Sequence, residues 1–204
     1  MKTQELFIKL KERMKAKSKK GDRHDWGHIE RVLRNATHIA KVEKADLEIV
    51  KFAALLHDIK RHDEDLGKIK CHAEEGAKEA MKILKHEKFP EQKIPFIGYA
   101  IENHRLSKNT NPKTKEARII QDADRLDSLG AILIARAFSS AHIHKRPFYD
   151  ENGRDNVITF IQERSKKLNP KNFNTRTGKK MAKERYDYSQ HFTDRMLKEI
   201  KGEI

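Results

Sequence analysis

A single cysteine, Cys71, stands in a chain of 204 residues. One thiol allows no intramolecular disulfide framework and no zinc site built from several cysteines. Metal chemistry in such a chain has to use histidine and carboxylate. Long apolar runs are missing too: the longest is only a few residues, and the N-terminal stretch MKTQELFIKLKERMKAK is amphipathic without a signal-peptide core. The expectation is a soluble, cytoplasmic protein with no membrane partner. Aromatic residues amount to 7% and are thinly spread, so the stacking platform of a nucleic-acid binder is not visible.

What the chain has in quantity is charge. Charged residues make up 37% and hydrophobic ones 36%, so the core has to come from strongly amphipathic helices rather than from long apolar strands. That composition predicts an all-α protein, and its length suits one domain with a sizeable core. A formal charge of +14, from 45 Lys and Arg against 31 Asp and Glu, favours anionic partners such as nucleotides, nucleic acid or polyphosphate. The lysines are spread over every segment, however, and a solvated lysine-rich surface explains them equally well.

Apolar periodicity predicts helices over about 3–17, 27–43, 46–58, 72–87, 91–104, 115–127, 129–142, 154–168 and 176–200. No stretch makes a convincing strand. Breaks are expected at Lys19-Lys20-Gly21, at Glu64 to Lys70, at KNTNPKT (Lys108 to Thr114) and at NPKNFN (Asn169 to Asn174). No internal repeat or low-complexity tract interrupts this order.

Three groups of polar residues fall where the helical pattern expects core. His28 opens the second helix. His57 and Asp58 close the third, after the apolar run IVKFAALL. Asp124 lies beside the apolar face of IIQDADRLDSLGAILIA, which is formed by Ile119, Ile120, Ala123, Leu126, Leu129 and Ile132. Two readings are open. These residues serve separately as caps and ion-pair members, or they converge on a metal. Neighbouring helical side chains diverge by about 100 degrees, so His57 and Asp58 can share an ion only where the helix ends or its last turn unwinds. Two imidazoles and two carboxylates form a mixed set that leaves room for water or a substrate oxygen. It suits manganese, iron, cobalt or nickel, with manganese the first expectation, magnesium less favoured because it prefers mostly oxygen and water ligands, and zinc a further alternative. An ion so held acidifies water and polarises a phosphoryl oxygen, which are the requirements of phosphoester hydrolysis.

The motifs HDWGHIERV around His28, ALLHDI around His57-Asp58 and DADRLDSLGA from Asp122 to Ala131 occur in this order. Together they resemble the HD superfamily of metal-dependent phosphohydrolases, over about Asp22 to Phe138. NTRTGKKMAKERY, at 174 to 186, is similar to the tail of small stand-alone HD hydrolases that include nucleotide pyrophosphohydrolases. The resemblance implies an all-α HD-domain helical bundle with additional C-terminal helices. It also implies a single HD-type domain, with its core at about 20–145 and helices of about 150–204 packing on it. The implied metal ligands are His28, His57, Asp58 and Asp124, and the implied substrate is a small phosphorylated molecule, a nucleotide foremost.

One departure concerns the acid that several HD phosphohydrolases carry three or four positions after the His-Asp pair. Here Arg61 and His62 stand there, so His62 is the candidate proton carrier beside Asp58, with Asp63 or Glu64 as loop alternatives. Lys60, Arg61, Lys68 and Arg125 flank the ligand positions and are candidates for substrate phosphate contacts. His104, closing IGYAIENH, is suited by type to contact a phosphate or a second metal, whereas His72 is read as a surface residue. His24 is read as a neighbour of His28, Trp26 as a packing anchor, Asp127 as a ligand-orienting or ion-paired residue, and Cys71 as inert. The basic residues Arg176, Lys179, Lys180, Lys183 and Arg185 are read as a solvated face. Competing with hydrolysis are an HD-fold sensor that binds metal and nucleotide without turnover, and a basic nucleic-acid-binding module.

Overall fold

The structure, a computed structural model, describes residues 3–17, 26–108, 110–153 and 155–204. Every regular element among them is helical. No helix among the described residues is long and apolar enough to cross a membrane. The chain divides into two compact units, Met1–Asp124 and Arg125–Ile204.

The first unit contains α1 (Thr3–Lys17), α2 (Trp26–Glu43), α3 (Leu47–Leu56), α4 (Arg61–Asp65), α5 (His72–His86), α6 (Ile94–Glu102) and most of α7 (Lys115–Leu126). At its centre lies α3, which packs against α1, α2 and α6, while α5 packs against α6 and α4. The sequence explains that position. Ile49, Val50 and Phe52 through Leu56 are all buried, so apolar side chains cover nearly the whole circumference and a neighbour is needed on each side. Asp46 starts the helix by accepting from the backbone N–H groups of Glu48 (2.9 Å) and Ile49 (3.1 Å), and its other oxygen meets Lys93 Nζ at 2.8 Å. Phe52 sits edge-on to Phe7 (5.4 Å between centroids) and tilted against Phe89 (4.6 Å), tying α3 to α1 and to the turn after α5. Leaving water stabilises each such side chain by about 1.5–3 kcal/mol.

The end of α3 shapes the site. Ile59 N–H donates to Leu56 O (3.1 Å) and Arg61 N–H to Asp58 O (2.9 Å), so the chain tightens into three-residue turns directly after Leu56. His57 and Asp58 therefore leave the regular helix together. The short helix α4 follows, starting between the expected end of the third helix near 58 and the break expected from Glu64 to Lys70, and running into that break. Its sequence, RHDED, is too short and too charged to show apolar periodicity.

The second unit contains α8 (Gly130–Ala141), α9 (Val157–Lys167) and α10 (Arg176–Ile200), each packed on the other two. Leu133, Ile134, Ala137, Val157 and Ile161 form its core, with Phe138, Phe160 and Phe192 against them. Asn156 caps α9 in a reciprocal capping box with Thr159. Small and hydroxylated residues of α10, Gly178, Ala182, Ser189 and Thr193, are buried, and Ser189 Oγ accepts the N–H of Gly130 at 3.0 Å. Gly130 has φ +68, and a Cβ there would stand 3.1 Å from Arg185 Cβ, so glycine meets both a backbone and a space requirement.

Candidate metal centre

Four histidine Nε2 atoms and the Asp58 carboxylate meet in the first unit. His28, on the first turn of α2, places Nε2 3.2 Å from His57 Nε2, and Asp58 Oδ2 lies 3.5 Å from the first and 3.6 Å from the second. Asp124, on α7, brings Oδ1 to 3.5 Å from His28 Nε2. The other Asp58 oxygen, Oδ1, lies 3.3 Å from His72 Nε2 and 3.7 Å from His104 Nε2, and these two nitrogens are 3.3 Å apart. Two overlapping groups result, His28–His57–Asp58 and Asp58–His72–His104, and each offers donor atoms within 4.8 Å of one another. Asp58 belongs to both, one oxygen to each.

The tautomers show what the groups can hold. His57 Nδ1 lies 2.8 Å from Ala54 O and His104 Nδ1 lies 2.5 Å from Ile101 O, so each ring carries its proton on Nδ1 and turns an Nε2 lone pair into the cluster. His72 Nδ1 faces Glu64 Oε2 at 2.8 Å, with the same result. Lone pairs aimed at one another and at carboxylate oxygens, in side chains at most 4% exposed apart from Asp124, repel unless a cation lies among them. Donors about 2.1 Å from one ion stand roughly 3.0–3.4 Å apart, and the observed spacings of 3.2–3.7 Å reach that edge length or exceed it by a few tenths of an ångström. The donor chemistry therefore fits a divalent ion. Asp124, at 24% side-chain exposure, is the member that opens to solvent.

Electrostatics agree. Burial pulls His104 down to about 4, with the neighbouring His57 adding to the effect against the pull of Asp124 and Asp58. His72 is likewise lowered by burial, although Asp58 and Glu64 oppose it. Neutral imidazole is the form that ligates. Burial alone would raise Glu64, but the backbone N–H and ring of His72, with Arg105, outweigh it and hold Glu64 at about 2.

The expected ligands His28, His57 and Asp58 thus converge, with Asp124 at their edge on the His28 side. His72, expected at the surface, is only 3% exposed and takes part. It opens α5 with its ring turned inward, because Glu64 and Arg61 occupy its outer side. Spacing on α5 alone shows a polar first turn, and nothing local marks the ring as buried. His104 is 2% exposed and lies beside Asp58. Lys60 is held by Asp63 at 2.9 Å, which raises its pKa. Arg61 is held by Asp65 at 2.8 Å. His62 and Lys68 are exposed. In the second unit, Arg125 is buried and donates to Asn172 O at 2.8 Å, and Asp127 is buried beside Arg136. Trp26 is half-buried under Lys11 Nζ, 5.7 Å from its ring. His24 and the expected break at Lys19, Lys20 and Gly21 lie outside the described residues.

An all-helical chain whose buried imidazoles and carboxylates are disposed to hold divalent cations defines a class, and the comparisons give the family. The HD-domain family model matches residues 25–129, and the chain belongs to that family. An HD-superfamily hydrolase from Bacillus thuringiensis is similar over 98% of both chains, with 31% identity and a TM-score of 0.80. YpgQ of Bacillus subtilis is 32% identical over 194 residues, covering 88% of this chain and 85% of that protein. The crystal structure of YpgQ in complex with ADP is similar with a TM-score of 0.74 and 26% identity, over 98% of this chain and 96% of that one.

Proposed function

We propose that the protein is a metal-dependent phosphohydrolase of nucleotides, with nucleoside triphosphate pyrophosphohydrolysis as its leading reaction. The observation that carries this reading is Asp58, whose two oxygens serve two groups of imidazole lone pairs. In the proposal His28, His57, Asp58 and Asp124 hold one divalent ion, manganese foremost. Asp58, His72 and His104 form a second position. Ions there supply Lewis acidity toward phosphoryl oxygen and lower the pKa of water.

The remaining roles belong to this chain's own side chains. Asp124, half-buried and the member of the set most open to solvent, is the proposed side of phosphate entry. Lys60 and Arg61 carry carboxylate partners, so they turn to a substrate phosphate only by exchanging Asp63 or Asp65 for it. Lys68 completes the candidate phosphate contacts of the first unit, whereas Arg125, in the second unit, is buried and bonded to Asn172 O. His62, exposed on the first turn of α4, is the proposed proton carrier. The ADP complex of YpgQ and the basic charge of this chain both support a nucleotide substrate.

The test is release of phosphate and of pyrophosphate from a nucleotide panel with manganese, cobalt, nickel or magnesium, comparing wild type with Asp58→Ala. Wild type should release pyrophosphate and the variant should fall to background. Turnover that survives in Asp58→Ala overturns the proposal. Tight nucleotide binding with no product from any substrate makes the protein a sensor instead.

A further inference from the structure

We propose that Glu64 is a positioning residue that presents His72 to the second cation, so that uptake of that cation depends on a side chain the first does not use. The inference rests on the two-position reading above.

The three imidazoles with a resolved Nδ1 partner are backed differently. His57 and His104 each give the Nδ1 proton to a carbonyl three residues earlier in their own segment, Ala54 O and Ile101 O. These acceptors are neutral and belong to the backbone. His72 alone among the three gives its proton to an anion, Glu64 Oε2, carried by another element, α4.

That oxygen is used three times. It accepts the His72 backbone N–H at 2.7 Å, His72 Nδ1 at 2.8 Å and Arg105 NH1 at 3.0 Å. Two bonds from one residue to one oxygen fix the ring orientation, since both its root and its edge are held. With Nδ1 so bound, Nε2 can face only inward, where Asp58 Oδ1 and His104 Nε2 each lie 3.3 Å away. Arg61 NH1 also stands 3.3 Å from Nδ1. It cannot donate to a nitrogen already carrying a proton, and the shorter contact to a full negative charge decides the tautomer. Arg61 instead faces Glu64 Oε1 at 3.5 Å, so two arginines hold the carboxylate while it holds the imidazole. A carboxylate behind a ligating histidine fixes its tautomer and strengthens it as a donor, and removing such a partner typically weakens metal binding about 10–100-fold.

The experiment is a manganese titration of the metal-free protein, followed by calorimetry and by the electron paramagnetic resonance of free manganese. Wild type should take up two ions per chain. Glu64→Ala should keep the first step and weaken the second about 10–100-fold. Glu64→Gln, whose carbonyl oxygen still accepts from Nδ1, should fall between the two. Cobalt absorption in the visible region gives an independent readout of the second position. Two unaltered steps in Glu64→Ala overturn the proposal. So does a loss shared by both steps alongside a lower melting temperature of the metal-free variant, which would make Glu64 a brace for α4 and α5 only. Uptake of a single ion by wild type also overturns it while leaving a one-ion phosphohydrolase standing, and uptake of none sinks the functional reading as well.

Discussion

Replacing Asp58 by asparagine isolates the group on which the metal centre turns. Its carboxylate is 4% exposed and stands 3.3–3.7 Å from four imidazole nitrogens. Asparagine keeps the shape but removes the charge and turns an amide NH2, which cannot ligate, toward one of the two groups. In metal-free protein that charge is buried among lone pairs, so neutralising it relieves a desolvation cost and the variant should melt no lower than wild type. Addition of manganese should then separate the two proteins. At a free concentration one hundred times the dissociation constant, an ion that binds only the native state adds about 2.7 kcal/mol. For a chain of this size that is a rise of roughly 5–11 °C per ion. Thermal melts in chelator and across a manganese series measure both quantities. Wild type should climb with concentration, and Asp58→Asn should stay nearly flat. A full manganese shift in the variant would refute the reasoning, as would a metal-free variant melting far below wild type, since Asp58 would then be a structural ion-pair member.

Two further outcomes test the fold and its titrating groups. Phe52→Ala removes a ring that is 2% exposed and packed between Phe7 and Phe89, and should cost about 3–5 kcal/mol in urea or thermal unfolding; a loss under 1 kcal/mol would mean that α3 is not the centre of its unit. Acid should destabilise the metal-free protein in two stages. His104 is held at about 4, below its ordinary 6.5, so its contribution is full above pH 6.5 and is lost as pH falls toward 4. Glu64, held at about 2 rather than 4.5, adds a loss between pH 4.5 and 2. His104 is worth up to about 3 kcal/mol and the less buried Glu64 less than that; urea midpoints that stay level from pH 7.5 down to 4 would contradict the His104 assignment, and midpoints level from pH 4.5 down to 2 the Glu64 one.

The helices were legible because their apolar residues recur at helical spacing. The expected spans 3–17 and 176–200 coincide with α1 and α10, and the other expected helices differ from the observed ones only at their ends. Among the described α-helices only α4 escaped, because four charged residues and a histidine carry no apolar periodicity. His28, His57 and Asp58 were legible as polar residues on apolar faces, and the motif flanks pointed to their common purpose. The resemblance to HD phosphohydrolases reached the same family that the match over residues 25–129 gives.

Sequence alone therefore determined what each segment does by itself: which stretches coil, which face of each is apolar, and which polar residues sit where water should not reach. These properties depend on neighbours within a few turns, and a chain read in order displays them. Only the tertiary structure decided that His72 turns inward, that His104 stands across from it, and that Glu64 backs one ring while backbone carbonyls back two others. Those facts require α4, α5 and α6 to be placed against one another, and the buried apolar residues of α5 and α6 are mostly alanine, isoleucine, leucine and glycine, which specify burial without naming a partner. The hydrogen bond of Glu64 to His72, 8 positions apart, and the approach of His72 Nε2 to His104 Nε2, 32 apart, exist only after that packing has brought the residues together.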